Sequence, residues 1–165
     1  MKEWWQDFFI HVEGEIMFTP RAALSKIEVE QVVKQTKLPK QAHVLDLACG
    51  VGRHSIEFAK QGFEVVGLDF SKPYLVEATK SALKTKTKIK FVNGDMKNLR
   101  PHFNVDSFDL VVSLYNSFGY FKSRSDDLRK RRTPGFFDFP FRRVLGDSTS
   151  IRFEAGGLRL VRCAD

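Results

Sequence analysis

The chain has 165 residues, a formal net charge of +7 and a hydrophobic content of 42%. This length and apolar content suffice for one soluble domain with a single core. No apolar stretch approaches the roughly 20 residues that cross a bilayer, which argues against a membrane protein and against a secretory leader. Cys49 and Cys163 are too few for a disulfide framework, so we expect reduced thiols and a cytoplasmic location. The four histidines show no metal-ligand spacing, so no metal site is predicted.

The first 40 residues contain two predicted helices. Large aromatic rings recur at helical spacing on one face of the first helix: Trp4, Trp5, Phe8 and Phe9. That face either packs against the core or forms a lid over a bound ligand. A second helix is predicted at residues 21–35, with its apolar face toward the first strand and its end before Pro39. Four apolar side chains define that face: Leu24, Ile27, Val32 and Val33.

Residues 43–54, HVLDLACGVGRH, combine an apolar run with a glycine loop. The run predicts a buried strand, and Gly50 and Gly52 permit a tight turn in which a ligand contacts bare backbone. A helix that begins directly after the loop would direct its free N–H groups at that ligand. A dinucleotide-binding site would have a third glycine three residues after the second, but Ser55 stands there. His54 could approach the ligand, although a surface position on the first helical turn is expected.

This order of an acidic residue and two glycines resembles the first motif of the class I S-adenosylmethionine (SAM)-dependent methyltransferases. Asp46, Gly50 and Gly52 stand at the matching positions, and Ala48 lies at the start of the loop. The resemblance implies a Rossmann-like α/β fold, with an open and mostly parallel sheet and helices on both faces. It also implies SAM as the cofactor, with Asp46, Ala48, Gly50 and Gly52 among the residues that bind it.

A second strand follows the glycine loop and its helix. The helix predicted at residues 53–61 ends at Gly62, a residue suited to a left-handed C-cap. The apolar run 63–68 then ends in Asp69. An acidic residue at the end of the second strand can accept hydrogen bonds from both hydroxyls of a ribose, so Asp69 is the predicted ribose ligand. Ser71 is predicted to cap the next helix.

A third strand is predicted before the sequence Asn93, Gly94, Asp95 and Met96. In the methyltransferase family, an acidic residue after the third strand receives the adenine amino group, and its neighbour packs on the ring. The resemblance therefore implies Asp95 at the adenine edge and Met96 against the adenine face. On the residues alone, a simple turn at Gly94 and Asp95 remains the alternative.

The apolar run 108–114 predicts a fourth strand that is buried on both faces. Ligands of open parallel sheets bind beyond the carboxyl ends of the strands, so the loops after all four strands should meet at one cleft. The next segment, YNSFGYF, resembles the acceptor-pocket segment of small-molecule methyltransferases. Tyr115 and Asn116 are therefore candidate pocket residues, together with Trp5. The segment is not the NPPY or DPPY loop of many nucleobase methyltransferases, so a small-molecule partner is expected and a nucleic-acid partner is not.

The last 45 residues differ in composition from the rest. Residues 121–165 hold 2 lysines and 9 arginines, whereas residues 1–120 hold 13 lysines and 3 arginines. A helix begins acceptably at residues 125–132, but Pro134 and Gly135 stop it, and the fifth strand of the family pattern does not follow. A shifted reading frame, a truncation and an unusual compact ending all fit. We expect a disrupted or truncated methyltransferase rather than a new domain.

A β-hairpin is predicted near the end of the chain, because residues 151–162 alternate apolar and charged side chains around Gly156 and Gly157. This hairpin could cover the fourth strand where a fifth strand would otherwise pair. Without it, the fourth strand exposes an unpaired edge, and we expect the chain to self-associate.

The sequence thus predicts one methyltransferase domain over residues 1–165. Within it we expect a helical or lid segment at 1–40, a SAM-binding core at 41–120 and an atypical basic tail at 121–165. The predicted function is methyl transfer from SAM to a small-molecule acceptor, with no residue identified as catalytic. The alternative is a SAM-binding remnant or regulatory module without turnover. A folded fifth strand favours the enzyme, and an unpaired sheet edge favours the remnant.

Overall fold

The structure, a computed structural model, describes residues 24–96, 98–104, 106–114, 149–153 and 159–163, the last two ranges as backbone only. Three helices and six strands lie in these ranges: α1 (Ser25–Thr36), β1 (His43–Leu47), α2 (Arg53–Lys60), β2 (Glu64–Asp69), α3 (Lys72–Lys84), β3 (Ile89–Asn93), β4 (Leu110–Ser113), β5 (Thr149–Phe153) and β6 (Arg159–Cys163). In this described part of the chain, no helix has the length and apolar character needed to span a membrane.

The six strands form one sheet in the order β3-β2-β1-β4-β6-β5. β1 pairs in parallel with both β2 and β4, and β2 pairs in parallel with β3. β6 runs antiparallel to both of its neighbours, β4 and β5. The open and mostly parallel sheet confirms the predicted fold class.

The register of the parallel strands brings three turns together. His43 of β1 pairs with Glu64 of β2, and Asp69 at the end of β2 pairs with Asn93 at the end of β3. The turns that follow β1, β2 and β3 therefore lie side by side at the carboxyl edge of the sheet. This is the edge at which open parallel sheets bind their ligands.

Each face of the sheet carries its own apolar core. On one face α1 and α2 cover the strands, and the core there includes Val29, Val32, Val44, Phe58, Val65, Leu110 and Val112. On the other face, the segment between β3 and β4 packs Leu99, Phe103 and Phe108 on Leu45, Leu47, Leu68 and Val111. Adjacent residues of β1 point into different cores, which explains why that strand is apolar almost throughout. The helix predicted at residues 125–132 lies outside the described residues.

The face that α1 presents to the core differs in part from the predicted one: Val32 and Val33 pack on the core as predicted, whereas Leu24 and Ile27 do not. Val29 and Val32 are fully buried, but Leu24 and Ile27 are 47% and 51% exposed. The buried face follows the helical repeat, with four members at spacings of four, three and four: Ser25, Val29, Val32 and Thr36. Leu24 and Ile27 lie off this stripe, so their inclusion in the predicted apolar face was wrong. The helix ends at Thr36 because Lys37 turns left-handed, with φ of 50°, before Pro39 is reached.

β6 occupies the position beside β4. Its backbone pairs with β4 from Leu110, opposite Arg162, to Ser113, opposite Arg159. β5 and β6 pair with each other, which confirms the predicted hairpin. β4 is therefore paired on both sides. The predicted self-association required an unpaired edge on β4, and that condition is not met. The predicted aromatic N-terminal helix and residues 115–148 lie outside the described residues.

Candidate functional site

The turn between β1 and α2 follows a left-handed backbone path. Ala48, Gly50 and Gly52 have φ of 54°, 55° and 75°. Two backbone hydrogen bonds close the turn, from Cys49 N–H to Leu68 O at 3.1 Å and from Gly52 N–H to Cys49 O at 2.9 Å. Glycine adopts these angles without the steric cost that a Cβ atom brings. The two glycines therefore serve the tight turn that the sequence predicts.

Two glycines leave room for the aromatic ring of Phe91. A Cβ atom at Gly52 would lie 3.0 Å from Phe91 Cζ and 3.0 Å from Ala78 Cβ. A Cβ atom at Gly67 would lie 2.8 Å from Phe91 Cδ1 and 2.9 Å from Cys49 Sγ. Carbon atoms in contact prefer about 3.5–4.0 Å, so neither position accepts a side chain without movement. Sequence reasoning missed this contact, although a glycine inside an apolar strand, Gly67, is a signal of close approach.

Asp69 ends β2 with a buried carboxylate that the neighbouring turns hold. Its Oδ2 accepts the backbone N–H of Gly50 at 2.9 Å, and its Oδ1 accepts the backbone N–H of Ser71 at 2.8 Å. Burial raises the pKa of Asp69, and these backbone hydrogen bonds oppose the increase. Because a carboxylate oxygen can accept two hydrogen bonds, both oxygens keep the capacity to receive a ribose hydroxyl.

The hydroxyl of Ser71 is buried at the start of α3. Ser71 is 1% exposed, and its Oγ makes no hydrogen bond to any residue that the structure describes. It stands at the predicted N-cap position, but its side chain does not cap the helix. A buried hydroxyl without a partner is unfavourable, so a polar ligand group beside Asp69 would improve this site.

Asp46 is the fourth residue of β1, and its side chain contacts Ser55 of α2. Its Oδ2 accepts the Ser55 hydroxyl at 2.6 Å, and both residues are buried. Burial raises the pKa of Asp46 to about 7, the hydrogen bond from Ser55 opposes this increase, and the nearby charge of Asp69 adds to it. Ser55, at the position of the third glycine of a dinucleotide site, thus joins α2 to the strand before the glycine loop.

We expect Asp46 to make folding stability depend on pH. Its pKa is higher in the folded chain than the ordinary value of 3.8, so the folded state binds more protons. The resulting stabilisation is present in full below pH 3.8 and is lost as the pH rises through about 7. The loss amounts to roughly 4 kcal/mol at most. Urea unfolding from about pH 5 to about pH 8 should show the wild type losing stability relative to Asp46→Asn, and parallel curves would contradict this account.

A second buried polar cluster joins α1 to α2 directly after the glycine loop. Glu28 Oε2 lies 2.8 Å from His54 Nε2 and 3.6 Å from Arg53 Nη1, and Arg53 Nη1 donates to Ser25 Oγ at 3.0 Å. Burial lowers the pKa of His54 to about 4, Arg53 adds to the decrease and Glu28 opposes it. His54 is therefore neutral and donates to Glu28. The surface position expected for His54 was wrong, since the residue is 5% exposed under α1.

Glu28→Gln is expected to lower the free energy of unfolding by about 1–3 kcal/mol, because it removes the carboxylate charge that lies 3.6 Å from Arg53 Nη1 and 2.8 Å from His54 Nε2. The Arg53 side chain is only 11% exposed. Glu30→Gln is the matched control, because Glu30 pairs with Lys26 at 3.9 Å in an exposed position. A surface pair of this kind contributes roughly 0–1 kcal/mol. Equal losses for the two variants in chemical denaturation would show that the buried cluster does not hold α1.

The structure brings the predicted cofactor residues to the carboxyl edge of the sheet: Asp46, Ala48, Gly50, Gly52, Asp69, Asp95 and Met96. Asp95 is exposed in the turn after β3, and Met96 packs partly buried against the core that contains Leu68 and Leu99. The proposed pocket residues Trp5, Tyr115 and Asn116 lie outside the described residues. Within the described ranges, no group of histidine, cysteine, aspartate and glutamate could hold a metal ion.

The sheet order, the glycine turn after β1 and the acidic residue that ends β2 define the fold of the class I SAM-dependent methyltransferases. A family model described as "Methyltransferase domain" matches residues 44–132. The chain belongs to this methyltransferase family.

Known proteins of this kind are similar to the chain over part of their length. The glycine/sarcosine N-methyltransferase of Aphanothece halophytica is 35% identical over 104 residues, which cover 63% of this chain and 39% of that protein. A ubiquinone biosynthesis O-methyltransferase of Aliivibrio fischeri strain MJ11 is 32% identical over 111 residues, or 67% of this chain and 44% of that protein. The chain thus spans less than half the length of either relative.

A solved structure shows the same fold. The magnesium protoporphyrin IX methyltransferase of Synechocystis PCC 6803, crystallised with bound SAM, superposes with a TM-score of 0.55. The match covers 86% of this chain and 77% of that chain at 20% sequence identity. At this level of identity, the likeness concerns the architecture alone.

Proposed function

We propose that this chain binds SAM and transfers its methyl group to a small-molecule acceptor. The observation that carries the proposal is the position of Asp69. Its buried carboxylate lies between the glycine turn and the start of α3, held by the N–H groups of Gly50 and Ser71. This arrangement would present two fixed oxygens to a ribose, next to the Ser71 hydroxyl, which has no hydrogen-bond partner within the described ranges.

In this proposal, the residues of the chain bind and orient the two reactants. Asp69 holds the ribose, the backbone at Gly50 and Gly52 faces the cofactor, and Asp95 and Met96 hold the adenine. When bound, SAM supplies a methyl group made electrophilic by its sulfonium. No side chain is proposed as a general base, because the main requirement is an acceptor lone pair placed in line with the methyl group.

The acceptor is proposed only as a small molecule, bound near Tyr115, Asn116 and Trp5. The two relatives carry names that concern different acceptors, glycine or sarcosine in one and ubiquinone biosynthesis in the other. The pairing of β6 with β4 removes the unpaired edge that would favour a remnant that only binds SAM. We propose the cytoplasm as the compartment, on the ground that Cys49 is a buried free thiol and that two cysteines make no disulfide framework.

Calorimetric titration with SAM, its demethylated product and NAD, followed by a methyl-transfer screen over small amines, hydroxyls and carboxylates, tests the proposal. We expect saturable binding of SAM and of the product, no binding of NAD, and methylation of at least one acceptor class. Binding of NAD without SAM would overturn the cofactor assignment. Binding of SAM without transfer to any acceptor would favour the remnant.

A further inference from the structure

We infer that Asn93 is a positioning residue that fixes the ribose-binding and adenine-binding parts of the site relative to each other. The inference rests on the proposed function, since Asp69 and Asp95 are cofactor ligands only if the chain binds SAM. Asn93 itself contacts neither group of the cofactor in this account. It acts through the backbone on which Asp69 stands.

The side chain of Asn93 is bonded to the turn that follows β2. Its Nδ2 donates to Asp69 O at 3.1 Å and to Phe70 O at 2.8 Å. Both partners are carbonyl oxygens, so only the amide nitrogen, with its two hydrogens, satisfies both contacts. Gly94 N–H donates to Asp69 O as well, at 3.0 Å. Three hydrogen bonds therefore tie the end of β3 to the two peptide groups after Asp69.

These bonds reach beyond the ordinary pairing of the strands. Asp69 and Asn93 are the last paired residues of β2 and β3, and the bond from Gly94 N–H continues the backbone ladder by one step. The amide of Asn93 extends the connection to Phe70 O, which lies past the end of β2. The Asn93 side chain therefore stabilises the turn after β2 and not the pairing of the strands.

The turn that Asn93 holds after β2 begins at the proposed ribose ligand, Asp69. Asn93 holds the backbone of this turn, and Gly50 N–H and Ser71 N–H hold the Asp69 carboxylate. Asp95 follows Asn93 by two residues, so the same amide sets the position of the adenine turn relative to Asp69. Asn93 is exposed and belongs to neither apolar core, so its replacement is expected to leave the fold intact.

Titration of SAM and of adenosine into Asn93→Ala and Asn93→Asp tests the inference. We expect about 3- to 10-fold weaker binding of both ligands to Asn93→Ala, from the loss of two hydrogen bonds that hold the turn. Asn93→Asp should bind more weakly still, because a carboxylate would face two carbonyl oxygens. Asn98→Ala, which changes an exposed asparagine just beyond the adenine turn, is the control and should bind within about twofold of the wild type.

A double-mutant cycle with Asp69→Asn separates positioning from a general structural effect. If Asn93 acts through Asp69, Asn93→Ala weakens SAM binding in the wild-type background and adds no further loss in the Asp69→Asn background. All variants are titrated below their melting temperatures, measured on the same samples. A wild-type chain that binds no SAM would overturn the proposed function. A wild-type chain that binds SAM, with either unchanged affinity in Asn93→Ala or equal losses in both backgrounds, would overturn the role of Asn93 alone.

Discussion

Asp69→Ala is expected to reduce the affinity for SAM by about 100-fold, or roughly 3 kcal/mol. The change removes both proposed ribose acceptors. It also releases the N–H groups of Gly50 and Ser71, which the carboxylate holds at 2.9 Å and 2.8 Å. Because these groups lie in two different turns, the loss should exceed that of a single hydrogen bond, about 0.5–1.5 kcal/mol. Calorimetric titration of the folded variant with SAM measures this loss of affinity.

Asp109→Ala is the matched control for that change. Asp109 Oδ2 accepts the backbone N–H of His43 at 2.7 Å, so this variant also removes a carboxylate that holds a backbone group. His43 begins β1, at the opposite edge of the sheet from the candidate site. The control should bind SAM within about twofold of the wild type. If Asp69→Ala bound SAM as well as Asp109→Ala does, the ribose assignment would be lost.

Gly52→Ala is expected to impair both folding and cofactor binding. The residue has φ of 75°, and the added Cβ atom would lie 3.0 Å from Ala78 Cβ and 3.0 Å from Phe91 Cζ. The left-handed conformation alone costs about 1–2 kcal/mol for a residue other than glycine. The turn must also shift to relieve the contacts, so we expect about 10-fold or greater loss of SAM affinity. A thermal melt and a SAM titration on one sample report the two effects.

Gly62→Ala is the control for Gly52→Ala, because it introduces backbone strain without a steric contact. Gly62 has φ of 90°, and a Cβ atom there would meet nothing within 4 Å. It follows α2, remote from the turn after β1, so the variant should lose about 1–2 kcal/mol of stability and no SAM affinity. If Gly52→Ala and Gly62→Ala gave the same result in both measurements, the glycine loop would be a turn and nothing more.

The parts of the fold that the sequence predicts well are those encoded locally. β1 and β2 follow from apolar runs, the position of Asp69 follows from the acidic end of the second run, and α2 follows from its place between two glycines. The face of α1 was wrong in part, because Leu24 and Ile27 are apolar without being buried. Hydrophobic periodicity identifies a helix but does not exclude exposed apolar residues.

The contacts that the sequence does not reveal join residues far apart in the chain. Glu28 meets His54 across 26 positions, and Asn93 meets Phe70 across 23. Glu28, His54 and Asn93 are polar, so their types alone suggest exposed side chains. Phe70 takes part only through its backbone carbonyl, which every residue carries. Only the packing of α1 on α2, and of β3 beside β2, brings the partners together.

The most direct test of cofactor binding at the carboxyl edge of the sheet is hydrogen exchange of the wild-type chain with and without SAM. We expect SAM to slow exchange in three turns: residues 48–53, residues 69–72 and residues 94–96. Exchange at the amino edge, near His43 and Glu64, should stay unchanged. Slowed exchange at the amino edge, or unchanged exchange in all three turns at saturating SAM, would contradict the account.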